Sequence, residues 1–207
     1  MTHTLHRRGN VDSLEHDYVV LCMAAVGVND ESSTPKLQEF IRICMRHDPL
    51  NAGSVHVGNI YTSSADKMIE GVQRHVHAVF DRRETVTQVL NDLKKADLGL
   101  SVVVSGLLDT VDHCCEEAGL KRHTVEMSLG VWGKVEKLES QEVLEVTTMC
   151  GHGLVAGNLV KTLVDDIRNG RTTARQASEE IAKQCVCGIF NAPRAEELLK
   201  AMASRPV

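Results

Sequence analysis

A chain of 207 residues with 43% hydrophobic residues can bury an ordinary core, which excludes a disordered chain and a small scaffold that depends on disulfides. A net charge of −5 without a basic stripe argues against nucleic acid as a partner. The first residues lack the apolar run of a secretory signal, and no window is apolar over the width of a bilayer, so we expect a cytoplasmic protein without a membrane partner. The seven cysteines are then expected to be reduced thiols or metal ligands.

The first third of the chain predicts a β–α–β unit. An unbroken apolar run over 18–28 indicates a buried strand. A helix-start signal with proline in the first turn then opens an amphipathic pattern over 33–47. A short alternating stretch over 55–61 indicates the second strand of the unit.

The middle of the chain predicts a second unit behind a helical insertion. Residues 64–97 contain two segments with apolar residues at helical spacing. A buried strand over 100–106, a helix over 107–119 and a half-buried alternating strand over 124–131 follow.

Together these elements predict an α/β fold, with α+β as the alternative. A compact sandwich of two β–α–β units in the ferredoxin-like, split arrangement is the first choice, and a small doubly wound sheet is the second. We expect an α/β domain over 1–148 and a helical subdomain over 149–207. That subdomain reads as a hairpin of helices over 154–169 and 173–184, followed by a terminal helix.

Two short motifs in the helical subdomain combine thiol and imidazole groups. Cys150 and His152 stand one residue apart beside glycines, and so do Cys185 and Cys187. The two hairpin helices should be about 24 Å and 18 Å long, so an antiparallel return brings the second motif to the level of the first. We therefore expect the four side chains to meet at the junction of the α/β body and the helices.

Such ligands indicate a metal-binding protein holding zinc or an iron–sulfur cluster. An open coordination position would make it a metalloenzyme for a small polar or anionic substrate, whereas a closed site would make it a structural-metal or electron-transfer accessory protein. The sequence does not decide whether the protein is an enzyme. Catalysis by an unmetallated thiol, or cysteines that are only small buried apolar residues, are the alternatives.

The glycines of the same segment suggest a different kind of site. Gly151, Gly153 and Gly157 open a predicted helix, and helix N-termini bind anions. A non-metal module that binds an anion or nucleotide through the loop 151–157 is thus a further alternative, with a homo-oligomer as one form that it can take. No strand follows this helix, so the β–α–β context of a dinucleotide site is missing.

Other polar residues are weaker candidates. His3, His6 and His113 can supply a base or a further ligand, and His113 shares a helix face with acidic residues that more simply form a solvated surface. His75 and His77 lie in a segment with helical periodicity, where residues two apart point in different directions, so we expect surface histidines there.

Overall fold

The computed structural model describes residues 4–205, in which helices enclose a five-stranded antiparallel sheet. A 3-10 helix at Val135–Lys137 precedes the last four α-helices. The elements in chain order are α1 (Val11–Leu14), β1 (Tyr18–Met23), α2 (Ser33–Met45), β2 (Asn51–Ser54), β3 (Gly58–Asn59), α3 (Ala65–Gly71), β4 (His75–Phe80), α4 (Arg83–Ala96), β5 (Ser101–Ser105), α5 (Leu108–Glu117), α6 (Gln141–Thr147), α7 (Gly157–Arg168), α8 (Ala174–Gln184) and α9 (Ala192–Ala203).

The strand order confirms the split β–α–β arrangement. The sheet runs β3–β2–β4–β1–β5, so β4 lies between the two strands of the first unit, β1 and β2. The second strand of that unit lies at Asn51–Ser54, and the strand prediction over 55–61 is wrong apart from the two-residue β3, because residues 55–57 form the turn between β2 and β3. β1 in turn lies between β4 and β5, the strands of the second unit, and every ladder among the described residues is antiparallel. An antiparallel sheet excludes the doubly wound alternative, which requires parallel strands.

The second unit uses different strands from those that the sequence predicts. The segment expected to be helical contains the central strand β4. Val72, Val76 and Val79 fit helical spacing, but Val76, Ala78 and Phe80 also fit the alternation of a strand. Because both faces of β4 are buried, the strand lacks the alternation of polar and apolar residues by which a half-buried strand is recognised. The helix prediction is wrong for residues 75–80, because their apolar side chains satisfy both the helical and the strand period, and it is confirmed by α3 and α4 on either side.

The predicted strand at 124–131 is also wrong. This segment has no regular secondary structure, it joins no described ladder, and all of its residues are exposed. β5 therefore remains an edge strand. The Val143–Val146 stretch, which could be read as a strand or a connector, lies in helix α6.

The sheet separates two apolar cores. Val76, Ala78 and Phe80 of β4 face a core that contains the buried residues of α2, α4 and α5. Val79 faces the other core, which contains the buried residues of α6 to α9. His75 and His77 share the face of Val79, because side chains alternate along a strand. We call this side of the sheet the C-terminal face.

The C-terminal helices follow their sequence signals closely. α7 and α8 form the predicted hairpin, and Thr173 and Gln176 form a reciprocal capping box at the start of α8. Asn191 caps α9 through its side chain, with a proline in the first turn. Because these helices pack on the sheet, the ends of α6 and α8 come to lie against it.

Candidate functional site

The C-terminal helices bring together the four residues of the two Cys/His motifs. Cys150 and His152 lie in the turn after α6, and Cys185 and Cys187 lie in the turn after α8. Nδ1 of His152 is 3.4 Å from Sγ of Cys187, whose sulfur is 3.8 Å from Sγ of Cys185. Cys150 lies close enough to Cys185 for each thiol to shift the pKa of the other. The hairpin thus returns as the helix lengths predict, and we call these four residues the thiol–imidazole cluster.

The sulfur atoms of the cluster are enclosed, whereas the imidazole reaches the surface. Cys185 and Cys187 are 0% exposed and Cys150 is 2% exposed, and all three belong to the core of the C-terminal face. His152 is exposed. A small molecule that approaches the thiols from this side therefore meets His152 first.

Asn59 ties the turn after α8 to the edge of the sheet. Its Nδ2 donates to the carbonyl oxygen of Cys185 at 2.7 Å and to that of Ala182 at 2.9 Å. Asn51 makes a similar contact one strand further in, where its Nδ2 donates to the carbonyl oxygen of Phe190 at 2.8 Å. Both amides are buried, so these bonds give carbonyl groups of the segment after α8 a partner inside the protein where water is excluded.

Gly188 allows the same turn to lie directly on β2. Its φ is +76°, in the left-handed region that favours glycine. A Cβ atom at this position would lie 2.4 Å from the carbonyl carbon of Ala52 and from the amide nitrogen of Gly53. No Cβ atom can come this close to a backbone, so only glycine allows the turn to approach β2 in this way. The close approach places Cys187, the preceding residue, over the sheet.

Three more imidazoles lie beside the cluster, and the expectation of surface histidines at positions 75 and 77 is wrong. His77 is fully buried on β4, opposite Gly53 of β2. The His75 ring is 5.5 Å from that of His77 and 6.3 Å from that of His56. The sequence signal was the His-x-His spacing, which places both rings on one face of a strand but not of a helix. Assigning this segment as helix hid the relation.

Burial and neighbouring rings change the protonation of His75. Burial lowers its pKa, and the nearby imidazoles of His56 and His152 lower it further. This coupling links the histidines of the sheet to the thiol–imidazole cluster. His75 therefore favours the neutral form, which can accept a proton.

Two thiols of the cluster are held in the protonated form. The hydrogen bond with Cys185, together with burial, raises the pKa of Cys150 far above its usual range. The hydrogen bond with Cys150 lowers the pKa of Cys185, but Cys187 and burial outweigh it and raise that pKa to about 12. Both groups are therefore protonated at neutral pH, and the thiolate is the reactive form of cysteine. Cys187 is the thiol that contacts an imidazole able to accept its proton.

The predicted metal-binding function is wrong. Within residues 4–205, no group of three or more His, Cys, Asp or Glu side chains is arranged to hold a metal ion. The shortest side-chain contacts in the cluster, Cys185 to Cys187 and Cys187 to His152, each join only two potential ligands. Proximity in the hairpin therefore brings the motifs together without forming a coordination shell among the described residues. The metalloenzyme hypothesis and the structural-metal and electron-transfer alternatives depended on that shell.

The glycine loop offers little to an anion. A Cβ atom at Gly157, in the first turn of α7, would lie 2.7 Å from Oε1 of Glu139. Glu139 also forms an ion pair with Lys161 at 2.8 Å. The start of α7 thus faces a carboxylate of its own chain, which would repel an added anion. Gly151 and Gly153 lie in the turn that carries the cluster residues.

The two weaker catalytic candidates that the structure describes, His6 and His113, do not join the cluster. His3 lies outside the described residues, and His6 is exposed in the N-terminal turn. His113 is exposed on α5, whose buried residues belong to the core on the other face of the sheet. Its neighbour Asp112 forms an ion pair with Arg122 at 3.0 Å, in keeping with a solvated helix face.

A buried ion network lies next to the cluster and was also missed. Asp17 accepts from Arg7 at 2.5 Å and from Arg194 at 2.7 Å, and the three side chains are between 0% and 6% exposed. Arg7 also donates to the carbonyl oxygen of Ile189, two residues after Cys187. We call these three charged residues the Asp17 network. It joins the N-terminal segment to α9 and to the turn that carries two of the thiols.

Comparison with protein-family models, curated proteins and solved structures gives no match for this chain. Among the helices of residues 4–205, none has the length and apolar character needed to cross a bilayer. Function must therefore be argued from the chemistry of the cluster itself.

Proposed function

We propose that the protein is a thiol redox protein that reduces a small hydroperoxide through Cys187 and Cys185. The observation that carries the proposal is the contact sequence of an imidazole, a first thiol and a second thiol, with separations of 3.4 Å and 3.8 Å. His152 serves as the base for Cys187, an arrangement typical of activated cysteine nucleophiles. Cys185 is the resolving thiol.

The first step transfers an oxygen atom to sulfur. His152 takes the proton of Cys187, and the thiolate attacks one oxygen of the peroxide. The O–O bond breaks, and the leaving hydroxide or alkoxide takes the proton from His152. The products are a sulfenic acid on Cys187 and one molecule of water or alcohol.

The second step forms the disulfide. Sγ of Cys185 attacks the sulfenic sulfur, the S–O bond breaks, and the hydroxyl group leaves as water with the proton of Cys185. Two electrons thus pass from two thiols to the peroxide. An external dithiol restores the reduced protein by thiol–disulfide exchange.

Enclosure of the thiols supports a small oxidant. The sulfur atoms are fully buried, so a protein disulfide cannot approach them without opening of the turn. All seven cysteines lie among the described residues and are free thiols. Free thiols fit a reducing compartment, and we propose the cytoplasm as the location.

Titration of the reduced protein with hydrogen peroxide tests the proposal. Peptide mapping without reduction should find a disulfide between Cys185 and Cys187 at one equivalent of peroxide. Cys187→Ser should abolish it, and Cys185→Ser should leave a sulfenic acid on Cys187 that dimedone traps. His152→Gln should slow oxidation by about a hundredfold or more, the contribution typical of a positioned base.

Cys115 provides the matched control, because it is a half-buried thiol on α5, away from the C-terminal face. Cys115→Ser should leave the rate and the disulfide unchanged. Oxidation of Cys115 before Cys187, or a disulfide between Cys150 and Cys185 with Cys187 unmodified, would contradict the assigned roles.

A further inference from the structure

An exposed apolar segment follows α5. We define residues 124–132 as the arm; it has no regular secondary structure and joins no described ladder. Its apolar side chains are largely in water: Met127 is 69% exposed, Leu129 89% and Trp132 84%. Val125 and Val131 are about half exposed. Apolar residues alternate with polar ones over 124–128, which is the pattern of a strand with one buried face.

The arm lies beside a strand that has a free edge. β5 pairs with β1 along one edge and with no described strand along the other. A cleft of about 760 Å³ separates β5 from the arm and is lined by residues of both, including Val102, Val104, Val125 and Met127. The arm, which has the sequence pattern of a strand but pairs with none, thus lies next to the unpaired edge of β5.

We infer that two copies of the chain exchange arms, each arm pairing with the free edge of β5 in the other copy. Each copy supplies one arm and one edge, so a two-fold dimer closes and leaves neither unpaired. Pairing along β5 would satisfy the edge hydrogen bonds and cover the alternating apolar side chains. Pairing with a second copy explains why the arm has the sequence pattern of a strand, although it forms no ladder within one copy.

The exposed area matches a second copy in size. The arm, with half-exposed Val135 and Leu138 beyond it, presents roughly 800 Å² of apolar residues, or about 1,600 Å² in a two-fold dimer. This is the size of a standard stable protein interface. Exposed apolar patches of such extent are rare on monomers.

Sedimentation and light scattering of the full chain test the inference. The protein should have the mass of two chains at micromolar concentration. Leu129→Asp should raise the dimer dissociation constant by roughly a hundredfold or more, because Leu129 occurs twice in a two-fold interface and the substitution removes its contacts from both copies. Hydrogen exchange should show protected amides over 124–131 in the dimer and unprotected amides in the Leu129→Asp variant.

Val28 offers a matched control, since it is 81% exposed in a turn outside the arm. Val28→Asp should leave the dimer intact, and the circular dichroism of both variants should remain that of the folded protein. A wild-type chain that stays monomeric at high concentration would overturn the inference. So would a dimer whose arm amides exchange freely, or one that Val28→Asp weakens as much as Leu129→Asp.

Discussion

The Asp17 network and the thiol–imidazole cluster lie on the same face of the sheet, and each joins segments far apart in the chain, yet their contacts differ in kind. In the network, one carboxylate meets two guanidinium groups at 2.5 Å and 2.7 Å, and Arg194 also donates to Ser13 at 2.9 Å. In the cluster, the contacts are longer and involve weak thiol donors, at 3.4 Å and 3.8 Å.

The difference separates residues that hold the fold from residues that can react. Short bonds between opposite charges fix a geometry, and removal of one partner leaves a buried charge uncompensated. Thiol contacts contribute little to stability, and a row of three buried thiols beside an imidazole is not needed to fill a core. The first group should therefore be sensitive in unfolding experiments, and the second in chemical ones.

The largest effect is expected for the charge at the centre of the network. Asp17→Asn leaves two buried guanidinium groups without a counter-charge and should lower the free energy of unfolding by about 3–5 kcal/mol. Urea unfolding measures the change. Glu31→Gln, at an exposed carboxylate, is the control and should change stability by less than about 0.5 kcal/mol. Equal effects of the two variants would contradict the structural role of the network.

Gly188 tests whether close packing on β2 positions the thiols. Gly188→Ala meets both an unfavourable φ and backbone atoms at 2.4 Å, and should cost about 2–4 kcal/mol. Gly153→Ala has a similar φ of +69° but no atom within 4 Å, and should cost only about 1–2 kcal/mol. Unfolding of both variants in guanidinium chloride gives the difference between their free energies of unfolding, which is the cost of the contact with β2 alone. A Gly153 variant as unstable as the Gly188 variant would mean that φ alone matters.

Alkaline pH should destabilise the protein through its buried thiols. The pKa values of Cys22 and Cys185 are raised from 9.0 to about 12, so between these values the unfolded chain loses protons that the folded chain keeps. The free energy of unfolding therefore falls as pH rises above 9, by up to about 1.4 kcal/mol per pH unit for each thiol, and this loss is absent below 9. Unfolding curves across this range measure the slope, which Cys22→Val should reduce. An unchanged slope would contradict the assignment.

The smallest effect on stability is expected where the largest effect on chemistry is proposed. Cys185→Ala removes a weak hydrogen-bonding group and one buried sulfur, and should lower the free energy of unfolding by only about 1 kcal/mol. The same variant should lose the peroxide-dependent disulfide entirely. A loss of stability comparable to that of Asp17→Asn would place the cluster with the structural contacts instead.

The sequence predicts local features better than long-range ones. Thr173 and Gln176, which lie within four residues of each other, predict a capping box, and the structure confirms it. The split β–α–β fold is also confirmed, although β4 was read as helix and the arm as a strand. Strand pairing is set by burial on both faces and by neighbours distant in the chain, which periodicity alone does not record.

The candidate site divides in the same way. The meeting of Cys150 and Cys185 follows from helix lengths, so it could be predicted. The His-x-His spacing reveals the shared face of His75 and His77 only once the segment is known to be a strand, and no short motif links the distant residues of the Asp17 network. The absence of a metal-holding group among residues 4–205 depends on side-chain directions in two turns.

The Asp17 network also has a consequence for the order in which the protein matures. Arg7 and Arg194 belong to opposite ends of the chain, so Asp17 acquires its second partner only after α9 has been synthesised. Until then the Asp17 carboxylate has only one of its two cations. Closure of the network thus comes late in folding, as expected for contacts of large sequence separation. Docking of α9 is therefore the step that fixes the N-terminal segment and, through the bond from Arg7 to Ile189, the turn that carries Cys187.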